Sequence, residues 1–145
     1  MSYKEIDFSE PIPKMVERLI IEHRELAPKL DEIERAAEEN PPDGIDLLEG
    51  VATKILRHAV EEEARVMRVI MKDAKAESSE SVRIMQEHRW ISEFLERRLK
   101  TLPNVTRTEA RSEIKKFVTD LGQHFREEEE IVFPLALRAE ESEHT

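Results

Sequence analysis

TRTEARSEIKKFVTDLGQHFREEEEIVFPLALRA, residues 106–139, is the stretch whose reading decides the fold. Its apolar residues recur alternately three and four apart, at Ile114, Phe117, Leu121, Ile131 and Leu135, which is the spacing of one buried face of a helix. Thr106-x-x-Glu109 in front of it has the form of a capping box. In the middle of the stripe, where further apolar side chains belong, stand His124 and Glu128 instead. A buried imidazole one turn from a buried carboxylate is an expensive arrangement without a partner, and both are metal-ligand types.

The same design runs through the rest of the chain. Asn40-Pro41-Pro42-Asp43-Gly44, Glu77-Ser78-Ser79 and Leu102-Pro103-Asn104 break it into segments. Helices are expected at about 11–39, 46–75, 79–102 and 106–139, within a single domain covering 1–145. The other stripes read Ile12, Val16, Leu19, His23, Leu26, Leu30, Ile33; then Leu48, Val51, Ile55, His58, Glu62, Val66, Val69; then Met85, His88, Ile91, Leu95, Leu99, Leu102. Each is interrupted by polar residues at mid-helix only. Short connections between neighbours predict an all-α, up-down-up-down antiparallel four-helix bundle in which the interruptions meet at one level. Pro28 and Pro134 fall inside helices and predict local kinks. The residues after 139 form a polar tail expected to fray, with His144 at the surface.

Composition agrees with helices and narrows the function. There are 33 acidic and 23 basic residues in 145, a net charge of −10, three glycines and no cysteine. Without a basic cluster, neither nucleic acid nor an anionic membrane is expected as a partner. With no cysteine, any buried metal must be held by nitrogen and oxygen. Neither a membrane span nor a signal-peptide core is legible, so a cytoplasmic location is expected.

The two halves resemble each other. Ile21-Glu22-His23-Arg24 reads against Gln86-Glu87-His88-Arg89, and Arg57-His58-Ala59-Val60-Glu61-Glu62-Glu63 against Gln123-His124-Phe125-Arg126-Glu127-Glu128-Glu129. A repeat of about 65 residues gives two helix pairs, each with His, His and Glu, and hence two metal ions. On a helix, residues i and i+4 share a face, so His58 with Glu62, and His124 with Glu128, point to the same place. Two roughly octahedral ions offer about twelve coordination positions. Four imidazoles, two bridging carboxylates and an oxo or hydroxo bridge leave about two of them open. Such a donor set suits Fe or Mn, with Zn possible, better than Ca or Mg. The remaining residues of the glutamate runs at 61–63 and 127–130 are expected on the solvated face. Glu22 and Glu87 are read as surface charges, orientation of an imidazole being the alternative. Trp90, Phe117, Phe125 and Phe133 are expected as core or pocket wall.

The order His, His-x-x-x-Glu, His, His-x-x-x-Glu, and the run from His124 to Phe133-Pro134, resemble the hemerythrin-like (HHE cation-binding) family over roughly residues 11–137. The resemblance implies a bundle with a non-haem diiron centre. His23, His58, His88 and His124 would be its terminal ligands, with Glu62 and Glu128 as bridges. It also implies, for some members, binding or sensing of O2, NO or peroxide. One departure stands out: the oxygen-carrying members typically have a fifth histidine one turn from the third, and here those places are Ile84 and Ser92. A diiron oxidase, a peroxidase or an iron-handling enzyme is therefore one alternative, and a metal-stabilised regulatory interaction module is another; in each case a monomer or homodimer is expected.

Overall fold

A computed structural model describes residues 6–72 and 78–144. Four long helical rods account for nearly all of them, and no strand occurs among the described residues. The first, α1, is Ile12–Glu39. The second, α2, is Pro41–Glu61, continued by a π-helical turn at Glu62–Met67 and by Arg68–Lys72. The third, α3, is Ser78–Glu93, continued by a π turn at Phe94–Arg98, then Leu99–Thr101 and a 3₁₀ turn at Leu102–Asn104. The fourth, α4, is Arg107–Glu127, a π turn at Glu128–Val132, and Phe133–His144.

The boundary after α1 differs from the expectation at one point. The Asn40 to Gly44 run ends α1 but does not keep α2 waiting until Asp46, because Pro41 and Pro42 occupy the first two helical positions. There a missing N–H costs nothing and the fixed φ already suits the helix. Gly44, inside α2, is there for space rather than for breaking a helix. A Cβ added to it would lie 2.5 Å from the Ala37 Cβ and 2.8 Å from its Cα. The two helices touch backbone to backbone at their shared corner. At the other predicted start, Thr106 accepts a hydrogen bond from the Glu109 backbone N–H at 3.1 Å. The cap and loop expected at Glu77-Ser78-Ser79, and the end of the second helix at Lys75, involve residues outside those described. At the carboxyl end, α4 continues past the expected end at 139 as far as His144.

The core is divided into two by the polar level. One cluster combines Leu26 to Ala37, Ile45 to Ile55, Ile91 to Leu102 and Ile114 to Phe125. The other combines Ile12 to Leu19, Val66 to Ile70, Ile84, and Val132 to Ala136. The later half of α1 thus shares a cluster with the earlier half of α2, the later half of α3 and the earlier half of α4. This is the pairing that alternating helix directions would give, and between the two apolar clusters lie the six polar stripe residues.

Every predicted stripe residue of α1 is buried, and so are those of α4 up to Glu128. Beyond the two carboxylates the periodicity slips by one residue. Ile70 takes the core place expected for Val69, and Val132 and Ala136 take those expected for Ile131 and Leu135. The π turns are the reason: the wider turn accommodates an extra residue and shifts everything after it. In α4 the Phe133 N–H reaches the Glu128 carbonyl, five residues back, just ahead of Pro134, which has no N–H to offer. At Pro28, by contrast, α1 continues as an uninterrupted α-helix. In α3 the expected core residue Met85 is 39% exposed, and Ile84, one full turn before His88, is buried in its place.

Candidate metal centre

His23, His58, Glu62, His88, His124 and Glu128 all lie at the middle level of the bundle, and none is more than 3% exposed. They fall into two groups of potential ligand atoms: His23, His58, Glu62 and Glu128 on one side, and His88, His124, Glu62 and Glu128 on the other. Each carboxylate serves both. On the first side, Glu62 Oε1 touches His58 Nε2 and Glu128 Oε1 lies 3.3 Å from His23 Nε2. On the second, Glu62 Oε2 is 3.4 Å from His88 Nε2, and Glu128 Oε2 is 3.5 Å from His88 Nε2 and 3.4 Å from His124 Nε2.

This is not an ordinary buried hydrogen-bond network. All four oxygens of Glu62 and Glu128, with His88 Nε2, are buried and lack a hydrogen-bond partner. Buried polar atoms are almost always satisfied, so five orphans at one place require a group that binds them. The imidazoles say which kind. His23 Nε2 and His58 Nε2 face each other at 2.9 Å, while the Nδ1 atoms of both face carboxylates. When Nδ1–H donates to a carboxylate, Nε2 of a neutral ring carries a lone pair. With both rings neutral, two such lone pairs aimed at one another, beside two carboxylate oxygens, form a cradle for a cation.

The Nδ1 partners form a closed ring around the bundle. Glu22 of α1 accepts from His58 of α2 at 2.9 Å, and Glu63 of α2 from His88 of α3 at 3.2 Å. Glu87 of α3 accepts from His124 of α4 at 2.5 Å, and Glu129 of α4 from His23 of α1 at 2.9 Å. Each helix gives one imidazole to the centre and one carboxylate to its neighbour's imidazole. Such partners fix the tautomer and the ring orientation of a metal ligand. Arginines anchor three of them, Glu22, Glu87 and Glu129, in turn. Arg18 binds Glu22 at 2.9 Å and also holds Glu61; its repeat counterpart Arg83 lies 3.7 Å from Glu87 and binds Glu127 at 2.7 Å.

Helix periodicity alone puts Glu63 and Glu129 on the solvated face and Glu22 and Glu87 mainly at the surface. The structure instead brings all four to imidazole nitrogens and buries Glu61 at 4% exposure against Arg18 and Arg57. The repeat carries a signal for them: in both halves a glutamate precedes the first histidine and another follows the stripe glutamate. The missing step is that a residue beside a ligand can reach across to the next helix.

Charge balance at the centre follows from these contacts. Burial opposes a charge on His58, but Glu62 and Glu22 outweigh it and lift its pKa to about 9. His88 is likewise raised to about 9, against its burial, by Glu62 and Glu63. Burial pushes Glu62 up, yet the same two imidazoles hold it far below the usual carboxylate range. His23 and His124 go the other way, their pKa values lowered chiefly by burial. Without a metal ion, protons on His58 and His88 are what neutralise Glu62. Cation binding must displace them.

Fold and centre together define a helical-bundle protein with a buried histidine and carboxylate cation site. The chain belongs to the hemerythrin family: the Hemerythrin HHE cation binding domain matches residues 71–145. That match takes in His88, His124 and Glu128; the internal repeat relates His23, His58 and Glu62 to it. No curated protein and no solved structure is matched by this chain. The described helices include none long and apolar enough to cross a membrane.

Proposed function

We propose that the chain is one domain carrying a dinuclear metal centre. His23, His58, His88 and His124 are its terminal ligands, Glu62 and Glu128 its bridges, and the pair is most naturally iron, with manganese or zinc as substitutes. The observation that carries this reading is the set of four buried carboxylate oxygens without hydrogen-bond partners, two facing each pair of imidazoles. Each ion would draw four ligand atoms from the protein, fewer than an octahedral ion accepts. A bound iron pair supplies redox-active centres with room for a small exogenous ligand. The chain's own residues bind and orient it: the glutamate ring aims the imidazoles, and the two apolar clusters above and below exclude bulk water.

The function this supports best is binding or sensing of O2 or a related small ligand such as NO or peroxide. Where a fifth histidine would stand one turn from His88, Ile84 is fully buried in the apolar core and Ser92 is half-buried, so neither adds an imidazole. This favours one second reading, a diiron oxidase or iron-handling enzyme. The deciding experiment loads the protein anaerobically with Fe(II), admits O2, then purges with argon while the visible spectrum is followed. A band that appears with O2 and vanishes on purging is the expected result. Irreversible bleaching or conversion would transfer the assignment to oxidase chemistry, and failure to retain iron would overturn the centre itself.

A further inference from the structure

The internal repeat makes the two halves of the centre comparable residue by residue, and they are not equally built. His23 stacks on Phe125 at 4.1 Å between ring centroids, and Phe133 lies parallel to it at 5.8 Å. Phe125 also packs against His58 at 5.6 Å. In the repeat, the counterparts of Phe125 and Phe133 are Ala59 and Met67. His88, the counterpart of His23, meets no aromatic ring among the described residues except that of His124.

The carboxylate supports differ in the same sense. Glu129, which orients His23, is gripped by both terminal nitrogens of Arg24 at 3.0 and 2.7 Å. Glu63, which orients His88, meets no arginine or lysine among the described residues, and its side chain is 31% exposed. Arg89, the counterpart of Arg24, is exposed and makes no ion pair among the described residues. The second support repeats the contrast, with Arg18 at 2.9 Å from Glu22 but Arg83 at 3.7 Å from Glu87. A cleft of about 360 Å³ along Glu87, Trp90 and Gln123 also reaches His124. The comparable cleft at His23 is lined by the Arg24 and Glu129 pair itself.

We propose that the two metal positions are functionally unequal: the His23/His58 position retains its cation, and the His88/His124 position exchanges a divalent cation with the surroundings. The inference rests on the dinuclear reading above. The physical cause is preorganisation. An imidazole held by a stacked ring and a clamped carboxylate loses little freedom on binding, whereas His88, with no stacked ring and only the unclamped Glu63 behind it, loses more. Loss of such supporting partners typically costs 10- to 100-fold in metal affinity.

The test is calorimetric titration of metal-free protein with Co²⁺, run on the natural chain, on His23→Ala and His88→Ala, and on Glu129→Gln and Glu63→Gln. Two steps separated by at least about tenfold are expected. His88→Ala should abolish the weaker step and leave the tighter one, and His23→Ala should do the reverse. If an alanine variant fails to fold, the glutamine variants decide, since Glu129→Gln should weaken the tight step and Glu63→Gln only the weak one. Two equivalents of equal affinity, or loss of the tight step in His88→Ala or Glu63→Gln, would overturn the inequality while leaving the dinuclear centre intact. No Co²⁺ binding by the natural chain would instead remove the centre.

Discussion

Glu62 and Glu128 are the residues on which the centre turns, because an uncompensated carboxylate in this environment is so unfavourable. Both are fully buried, between apolar layers, and among the described residues neither meets a lysine or arginine. Replacing either by alanine would remove two of the eight proposed ligand contacts and leave the imidazoles without their shared anion. Each variant is expected to bind less than half the metal of the natural chain, measured by elemental analysis after dialysis. It should also lose the metal-dependent part of its thermal stability. Unchanged metal content in both variants would exclude them as bridges. The six stripe residues are legible in the sequence because a polar side chain in an apolar period is conspicuous in one dimension. Glu63 and Glu129 are not, and Glu22 and Glu87 only as the alternative to a surface charge, since their role depends on which neighbouring helix they face, and a single helix's periodicity does not contain that. Glu87→Gln tests the ring: a neutral amide still fits, but it orients the His124 tautomer less strongly, so metal affinity should fall about tenfold with the helical spectrum unchanged.

At the scale of the element, the α1 to α2 corner has no room for a side chain at Gly44, where the obstructing atoms are Ala37 backbone and Cβ rather than a flexible tip. Gly44→Ala gains helix propensity, close to 1 kcal/mol, but must force the helices apart, and overpacking costs about 1–3 kcal/mol. A net loss of stability in chemical denaturation is expected; a gain would mean that the corner relaxes freely. A π turn begins at each of the two glutamates proposed as bridges, at Glu62 and at Glu128. A period of 3.6 residues read straight through those turns misplaces the later stripe residues by one position, Val69, Ile131 and Leu135 among them. Only Pro134 gives any warning, and α2 reaches the same shift without a proline. The helices themselves are legible because their stripes, the Thr106 cap and the proline punctuation all agree. The pitch change is not, because apart from Pro134 nothing in the local pattern of apolar residues marks where a turn widens.

For the molecule as a whole, stability is linked to the centre through protons. In the metal-free chain His58 and His88 hold protons up to about pH 9, whereas in an unfolded chain they release them near the ordinary histidine value of roughly 6.5. A pKa raised by folding contributes stability that is fully present below the unfolded value and is lost as pH rises through the folded one. The chelator-treated protein should therefore melt at progressively lower temperature between about pH 6.5 and 9. Metal-loaded protein should behave oppositely, because the cation competes with those two protons and binds more tightly as they leave. Thermal melts with EDTA and with excess Mn²⁺, taken at half-unit steps across that window, should give curves that diverge with rising pH. Parallel curves would mean that the ion does not displace protons from His58 and His88, and that the cation lies somewhere other than between the two imidazole pairs.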